Sequence, residues 1–513
     1  MNIINKTAYT FMKRRYRKVE RYMHDPAGVQ QRVFAELIAG GRGTEWGDKY
    51  HYNDIRSWED FAQQVPVNTY ADLYPYVQRI MKGENYLLWN EKVRWLAKSS
   101  GTTGKASKFI PVTKAALEQC HYKGGKDMVA IYCNMYPDTH LFTGYSLALG
   151  GSRQENPDTK LFCGDVSAIL MDNLPAWAER FRFPRKEVAL MSEWEAKLDA
   201  LIKSTYNKNI VSLSGVPSWM SVLLQKSIEY AGKNSISEMW PNLETFFYGG
   251  VHFEPYRKKF DQLIGRNDMR YVNIYNASEG FFGIQDQVHS SDMLLLLDNG
   301  IFYEFMPLEE TDKPNPKLIP LWQVEKGRNY AMVISTNSGL WRYIIGDTVM
   351  FTSISPYRIQ ITGRTKNFIN VCGEELIVDN AIQALNATCA QLDCEVREFT
   401  AAPYFSADDK PVGHQWLVEF EREPADIDLF AATLDKNLQV VNTDYQSKRY
   451  KDFILRPLLL TVAPQGTFFE WQKQRNRLGG QSKVPRLNNT RETIDPLLKI
   501  IEIVRSSESG VRN

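Results

Sequence analysis

The sequence is short of several things that would decide its class at once. No run of residues approaches the roughly 18 apolar side chains that a membrane-crossing helix needs. The greasiest stretch, MLLLLD at residues 293–298, is far too brief. The first residues carry no apolar signal core, so a cytoplasmic protein without membrane partners is expected. Charge of one sign is not in excess: 62 basic against 60 acidic residues leave a net +2, with no overall pull toward nucleic acid. The six cysteines include no CxxC pair, and the nearest two, Cys389 and Cys394, have no histidine beside them. Reduced, mostly buried thiols are expected, and no structural zinc. Low-complexity segments and internal repeats are absent. The seven histidines form no persuasive Ser/His/Asp or Cys/His pattern, so no covalent nucleophile is expected.

What remains is an ordinary globular composition, 43% hydrophobic and 24% charged, in a chain long enough for two to four domains. Near the N-terminus, the basic cluster MKRRYRKVER (12–21) carries Met12, Tyr16, Val19 and Met23 on one helical face, which predicts a packed helix with a solvated basic side. Residues 1 to about 80 read as helical, with 65–80 as a connecting stretch. Strands are expected at 93–98 and 109–113, with Thr113 capping the helix that follows. Further strands at 210–215, 243–250 and 270–276 alternate with helices, an α/β pattern. Hairpins are expected over 294–306, at an Asp-Asn-Gly turn, and over 330–351, turning at Asn337-Ser338-Gly339. Beyond about 365 the order changes: a strand at 368–376, a helix at 379–392, strands at 396–404 and 414–421, a helix at 426–440 and a strand at 454–462. This predicts a large α/β domain over 1–364, its sheets flanked by helices, and a smaller α+β domain over 365–513.

Between the first two strands lies KSSGTTGKASK (98–108), in which every residue but Ala106 is Ser, Thr, Gly or Lys. A Walker A loop is excluded. With Gly104-Lys105 as its GK, Ser99 stands where glycine belongs and Ala106 where the metal-binding hydroxyl belongs, and a strand follows instead of a helix. The composition still suits a phosphate clamp: glycines admit backbone N–H groups, hydroxyls donate and lysine neutralises charge. Ser99, Ser100, Gly101, Thr102, Thr103, Gly104 and Lys105 are therefore candidates for nucleotide phosphates. Further along come YNASEG (275–280), WRYIIGD (341–347) and ITGRTKNFINVCGEEL (361–376). Glu279 offers a hard oxygen of the kind Mg²⁺ prefers, Ser278 a hydroxyl, Tyr275 an aromatic ring and Asp347 a carboxylate.

In this order the segments resemble the adenylate-forming superfamily of acyl-CoA synthetases, adenylation domains and luciferases. In detail they resemble the auxin-responsive acyl acid amido synthetase family, including its bacterial members. That family shows Ser-Ser-Gly-Thr-Ser, Tyr-x-x-Ser-Glu and Tyr-Arg-x-Gly-Asp motifs. TEWGDKYHY (44–52) and VPVNTYADLYPYVQRI (65–80) are similar to its N-terminal region. Thr103 replaces the second loop serine and keeps the hydroxyl; Ile344 replaces the motif arginine, with Arg342 just before Tyr343. The resemblance implies an ATP- and Mg²⁺-dependent ligase that activates a carboxylic acid as its acyl-adenylate and passes the acyl group to an amino acid. An acyl-CoA ligase and a non-catalytic nucleotide-binding protein are the alternatives. It further implies Tyr275 at adenine, Asp347 at both ribose hydroxyls, Ser278 at the α-phosphate, Glu279 at Mg²⁺, Arg364 at ribose or phosphate, Lys483 as the C-terminal lysine that neutralises charge during adenylation, and Lys366 as the hinge of a mobile C-terminal domain. By the same analogy Val216, Gly249 and Gly250 line the acyl pocket.

Overall fold

The computed structural model describes residues 3–510 apart from 100–107, 152, 155–158, 160, 192, 251–252, 312, 365–367, 375, 406–412, 453 and 475–483. The chain divides into two compact units. Among the described residues, the larger carries 3–99 and 108–364, and the smaller those from 368 to 510.

The larger unit opens with helices. Ile3–His24 buries Val19 and Tyr22 and packs Tyr16 and Met23 on the core, while Lys13, Arg14, Arg17, Lys18 and Arg21 face solvent. Arg15 donates to the buried Asp127 at 2.7 Å, which adds a polar anchor to the packed helix that the sequence predicts. The stretch read as connecting contains a helix instead, Tyr70–Met81. Thr69 and Asp72 form its capping box, and that local signal outweighs Pro75, which sits inside the helix.

The strands that follow are β1 (Trp95–Ser99), β2 (Lys108–Val112), β3 (Tyr145–Ala148), β4 (Arg153–Gln154), β5 (Phe162–Gly164), β6 (Arg182–Phe183), β7 (Ile210–Gly215) and β8 (Thr245–Tyr248). They continue with β9 (Arg270–Ala277), β10 (Gly280–Gln285), β11 (Met293–Leu295), β12 (Ile301–Pro307), β13 (Ile319–Pro320), β14 (Asn329–Thr336), β15 (Tyr343–Ile354) and β16 (Tyr357–Arg364). A small sheet has the order β2-β1-β5-β4, and among the described residues twelve strands form a large one, β13-β12-β14-β15-β16-β11-β10-β9-β8-β7-β3-β6. From β6 to β9 the pairing is parallel, with crossover helices such as Pro217–Ala231 and Glu254–Ile264; from β9 to β13 it is antiparallel. Thr113 caps as expected, its Oγ1 accepting from the Ala116 amide at 3.0 Å.

The hairpin expected over 294–306 does not form. β11 pairs with β10 and β16, whereas β12 pairs with β13 and β14, so the Asp-Asn-Gly turn carries the chain between separate parts of the sheet. The leucine run allows this because Leu294–Leu297 are all buried; it reads as a core strand with no preference for its sequence neighbour. The hairpin over 330–351 is present, with Ile334 opposite Tyr343 and Gly339 at φ +83° in the turn.

The smaller unit has strands β17 (Phe368–Ile369), β18 (Leu376–Ile377), β19 (Glu395–Tyr404), β20 (Gly413–Arg422) and β21 (Leu459–Ala463), and helices that include Val378–Leu392 and Ile427–Val441. β19 and β20 pair antiparallel, β20 and β21 parallel. The strand expected over 368–376 is two short antiparallel strands, because Gly373 at φ +88° turns the chain. The last strand starts only at Leu459, since Pro457 has no N–H to offer a ladder.

Candidate functional site

Two buried carboxylates define the site. β9 and β10 form a tight hairpin, with Ala277 opposite Gly280 and Ser278-Glu279 at the turn. A glutamate at a hairpin tip is normally solvated, yet Glu279 is only 8% exposed. The second carboxylate is Asp347, also 8% exposed, on β15 and directly opposite Arg364 of β16. A bulge aims it: Ile344 pairs with Val333 and Thr348 with Ala331, so Ile345, Gly346 and Asp347 face Met332 alone. Gly346 takes φ +101° there, a conformation that favours glycine. Tyr275 joins the two motifs, for its Oη donates to Asp347 Oδ2 at 2.6 Å while its ring packs on Phe282 with centroids 4.8 Å apart.

A buried cation lies in the same unit. Ser99 ends β1 directly opposite Lys108, the first residue of β2, so Lys108 stands at the base of the Ser/Gly loop. Its Nζ donates to Tyr343 Oη at 3.2 Å and lies 5.7 Å and 5.8 Å from the ring centres of Tyr70 and Tyr343. Burial pushes the Tyr70 phenol up to about 12, and the Glu279 charge adds to the rise, so Tyr70 stays neutral and a donor. Sequence reasoning placed Lys108 beside the loop hydroxyls without giving it a role of its own, and did not single out Tyr70 or Tyr343 as site residues. The available signal was a lysine opening a strand right after a hydroxyl-rich loop. The π-helical turn Ala116–His121 supports the hairpin from behind, with Cys120 Sγ accepting from the Phe281 amide at 3.3 Å.

Val216, Gly249 and Gly250 lie at the C-terminal ends of the parallel strands β7 and β8, where open α/β sheets bind ligands. A Cβ on Gly249 would fall 2.5 Å from the Ile274 carbonyl of β9, so no side chain fits. A Cβ on Gly250, which takes φ +85°, would lie 3.8 Å from Val216 Cγ2. The strand-end loop after β3 joins them: Leu149 O lies 3.0 Å from the Cβ position of Gly215, and Lys197 Nζ donates to Gly150 O and Gly151 O at 2.9 Å each. Burial lowers the Lys197 amine to about 8.

Arg342 does not stand in for the arginine that Ile344 replaces. It is buried, in the left-handed region at φ +43°, with Nε and Nη2 on Glu304 at 3.0 Å each and Nη1 on the Ala62 and Val65 carbonyls. Ser100, Gly101, Thr102, Thr103, Gly104, Lys105, Lys366 and Lys483 lie outside the described residues, as does the side chain of Arg364. Among the described residues no three His, Cys, Asp or Glu side chains gather to hold a metal, and no helix is long and apolar enough to cross a membrane.

Three family models match the chain: the GH3 family N-terminal domain at residues 15–269, the central domain at 294–364 and the C-terminal domain at 379–492. Among curated proteins, an indole-3-acetic acid-amido synthetase of Arabidopsis thaliana is 22% identical, covering 92% of this chain and 91% of its own. A jasmonoyl–L-amino acid synthetase of Nicotiana attenuata is 24% identical, covering 90% and 91%. The fold is similar to a solved acyl acid amido synthetase in complex with 2,4-DB, at TM-score 0.62 and 18% identity over 96% of each chain. It is also similar to a 2-hydroxyisobutyryl-CoA ligase with its adenylate and CoA, at TM-score 0.54 and 15% identity over 98% of this chain and 93% of that one.

Proposed function

This chain belongs to the GH3 family, and we propose that it is an ATP-dependent acyl acid amido synthetase acting in the cytoplasm. In the first step a carboxylate oxygen attacks the α-phosphorus of ATP, the α–β bridge bond breaks, and pyrophosphate leaves. In the second an amino acid amine attacks the acyl carbon of the adenylate, loses a proton, and AMP departs. The observation that carries this reading is the Tyr275–Asp347 hydrogen bond, which ties the Glu279 hairpin to the glycine-aspartate strand inside one buried polar site.

Asp347 receives the ribose hydroxyls, for which its two oxygens offer about four acceptor positions. Residues 99–105 cradle the phosphates, with Lys108 adding fixed positive charge at the base of that loop and Arg364 beside Asp347 in register. A single buried carboxylate, Glu279, fits Mg²⁺, which takes one or two protein carboxylates and completes its shell with phosphate oxygens and water. The ion would supply charge neutralisation at the phosphates. Ser278 sits beside the α-phosphate, and Val216, Gly249 and Gly250 floor the acyl pocket. Domain 365–513 swings between the steps about Lys366, and Lys483 neutralises charge in the first step only.

The test is a pyrophosphate-release assay over pooled carboxylic acids, with pooled amino acids or coenzyme A as acceptors, run on the wild type and on Lys483→Ala. Acid-dependent release with amide product is expected, and in Lys483→Ala slow release but normal aminolysis of supplied acyl-adenylate. Thioester as the sole product would make the chain an acyl-CoA ligase. ATP binding without release for any acid would leave a nucleotide-binding protein.

A further inference from the structure

We propose that Tyr275 is a positioning residue for the nucleotide, acting through its hydroxyl on Asp347 and not only through its ring; this rests on the ribose role of Asp347 given above. β9 and β15 are separated by β10, β11 and β16. Four strand steps across a flat sheet span about 19 Å. A tyrosine side chain cannot cross that gap, yet its hydroxyl lies 2.6 Å from Asp347. The sheet therefore coils tightly here. Bulges coil sheets, and the strand path between the two partners holds several: the β9–β10 register shifts between Phe281 and Gly283, and the β15–β16 register between Thr348 and Val349 and again between Phe351 and Ser353. Gly283, opposite Tyr275, presents no side chain in its way.

The bond closes this coil like a strut. At 2.6 Å it is in the range of a hydroxyl donating to a charged carboxylate. A vicinal diol needs a carboxylate fixed in one orientation, and the strut supplies that. Because Tyr275 stands four residues before Glu279, the same strut sets the spacing between the carboxylate for ribose and the carboxylate for the metal and phosphates. Phe282, fully buried, holds the ring from one side and fixes where the hydroxyl points.

Tyr275→Phe keeps the ring and removes only the hydroxyl, so a tyrosine that merely stacks on adenine predicts no change. The measurement is calorimetric binding of AMP and 2′-deoxyAMP to the full chain, for wild type, Tyr275→Phe and Asp347→Ala. A hydrogen bond to a charged group corresponds to about tenfold or more in affinity. Wild type is expected to prefer AMP over 2′-deoxyAMP about tenfold. In Tyr275→Phe, AMP affinity is expected to fall about tenfold and the preference to shrink below about threefold. The preference is a ratio within one enzyme, so a partly unfolded sample does not distort it. If Asp347→Ala weakens AMP while Tyr275→Phe keeps the full preference, the strut has no role in ribose binding and the inference is overturned alone. If Asp347→Ala leaves AMP affinity unchanged, the ribose role of Asp347 falls and the inference falls with it.

Discussion

His121 shows how far a single side chain can be argued. It closes the π-helical turn behind the Glu279 hairpin and is 5% exposed; burial alone lowers its imidazole to about 4. The unfolded chain still titrates near 6.5, so between those values the unfolded state binds a proton that the folded state refuses. Stability is therefore full above about pH 6.5 and is lost as pH falls toward 4. From pH 7 to pH 5 this one group costs about 2 kcal/mol. Denaturant titrations at the two pH values are expected to show wild type losing about that much more than His121→Gln; equal losses would contradict the assignment. Glu279, Ser278 and Asp347 could be picked out as candidates from residue type and motif, whereas the burial of the two carboxylates could not. The contact between Lys108 and Tyr343 was not legible, because it joins residues 235 positions apart and depends on the pairing of two different sheets. Arg342 was legible only as a charge near the motif, and its actual partner, Glu304, lies 38 residues away.

At the scale of elements, Arg342 and Glu304 clamp three pieces together. Glu304 comes from β12, Arg342 precedes β15, and the carbonyls of Ala62 and Val65 lie at the end of the helix Trp58–Gln64, whose Trp58 also donates to Glu304 at 2.9 Å. Asn68 adds a backbone link, donating its amide to the Arg342 carbonyl and accepting from Ile344. Glu304→Ala would leave a guanidinium buried without its carboxylate and is expected to cost about 3–5 kcal/mol. Replacing both partners, as in Glu304→Leu with Arg342→Met, is expected to cost less than the sum of the single changes. Additive costs in a denaturant cycle would mean that the pair is not coupled. Element type was readable where periodicity was strong, as in the helix Ile3–His24 and the strands β7 and β9. Pairing was not, and the leucine run at 294–297 is the clearest instance. Four buried leucines fit a core strand on any neighbour, so the Asp-Asn-Gly signal suggested a hairpin that the sheet does not contain.

For the whole molecule, the sequence order suggests a change near 365 from alternating helices and strands to a second α+β pattern. The coil of the large sheet was not visible, because the bulges between β9 and β15, beside Gly283 and along β15–β16, have no strong local signature. That coil brings the two acidic motifs into one site, and the chemistry proposed for the site makes a sharp demand on atoms. If a carboxylate oxygen attacks the α-phosphorus and the acyl carbon is later taken by an amine, that oxygen must leave on AMP. The decisive measurement follows one substrate acid, labelled with ¹⁸O in its carboxylate, through complete conversion to amide, with mass spectrometry of the nucleotide and phosphate products. One ¹⁸O in AMP and none in pyrophosphate is the expected result. Label in inorganic phosphate with ADP as the nucleotide product, or AMP without label, would contradict activation through an acyl-adenylate.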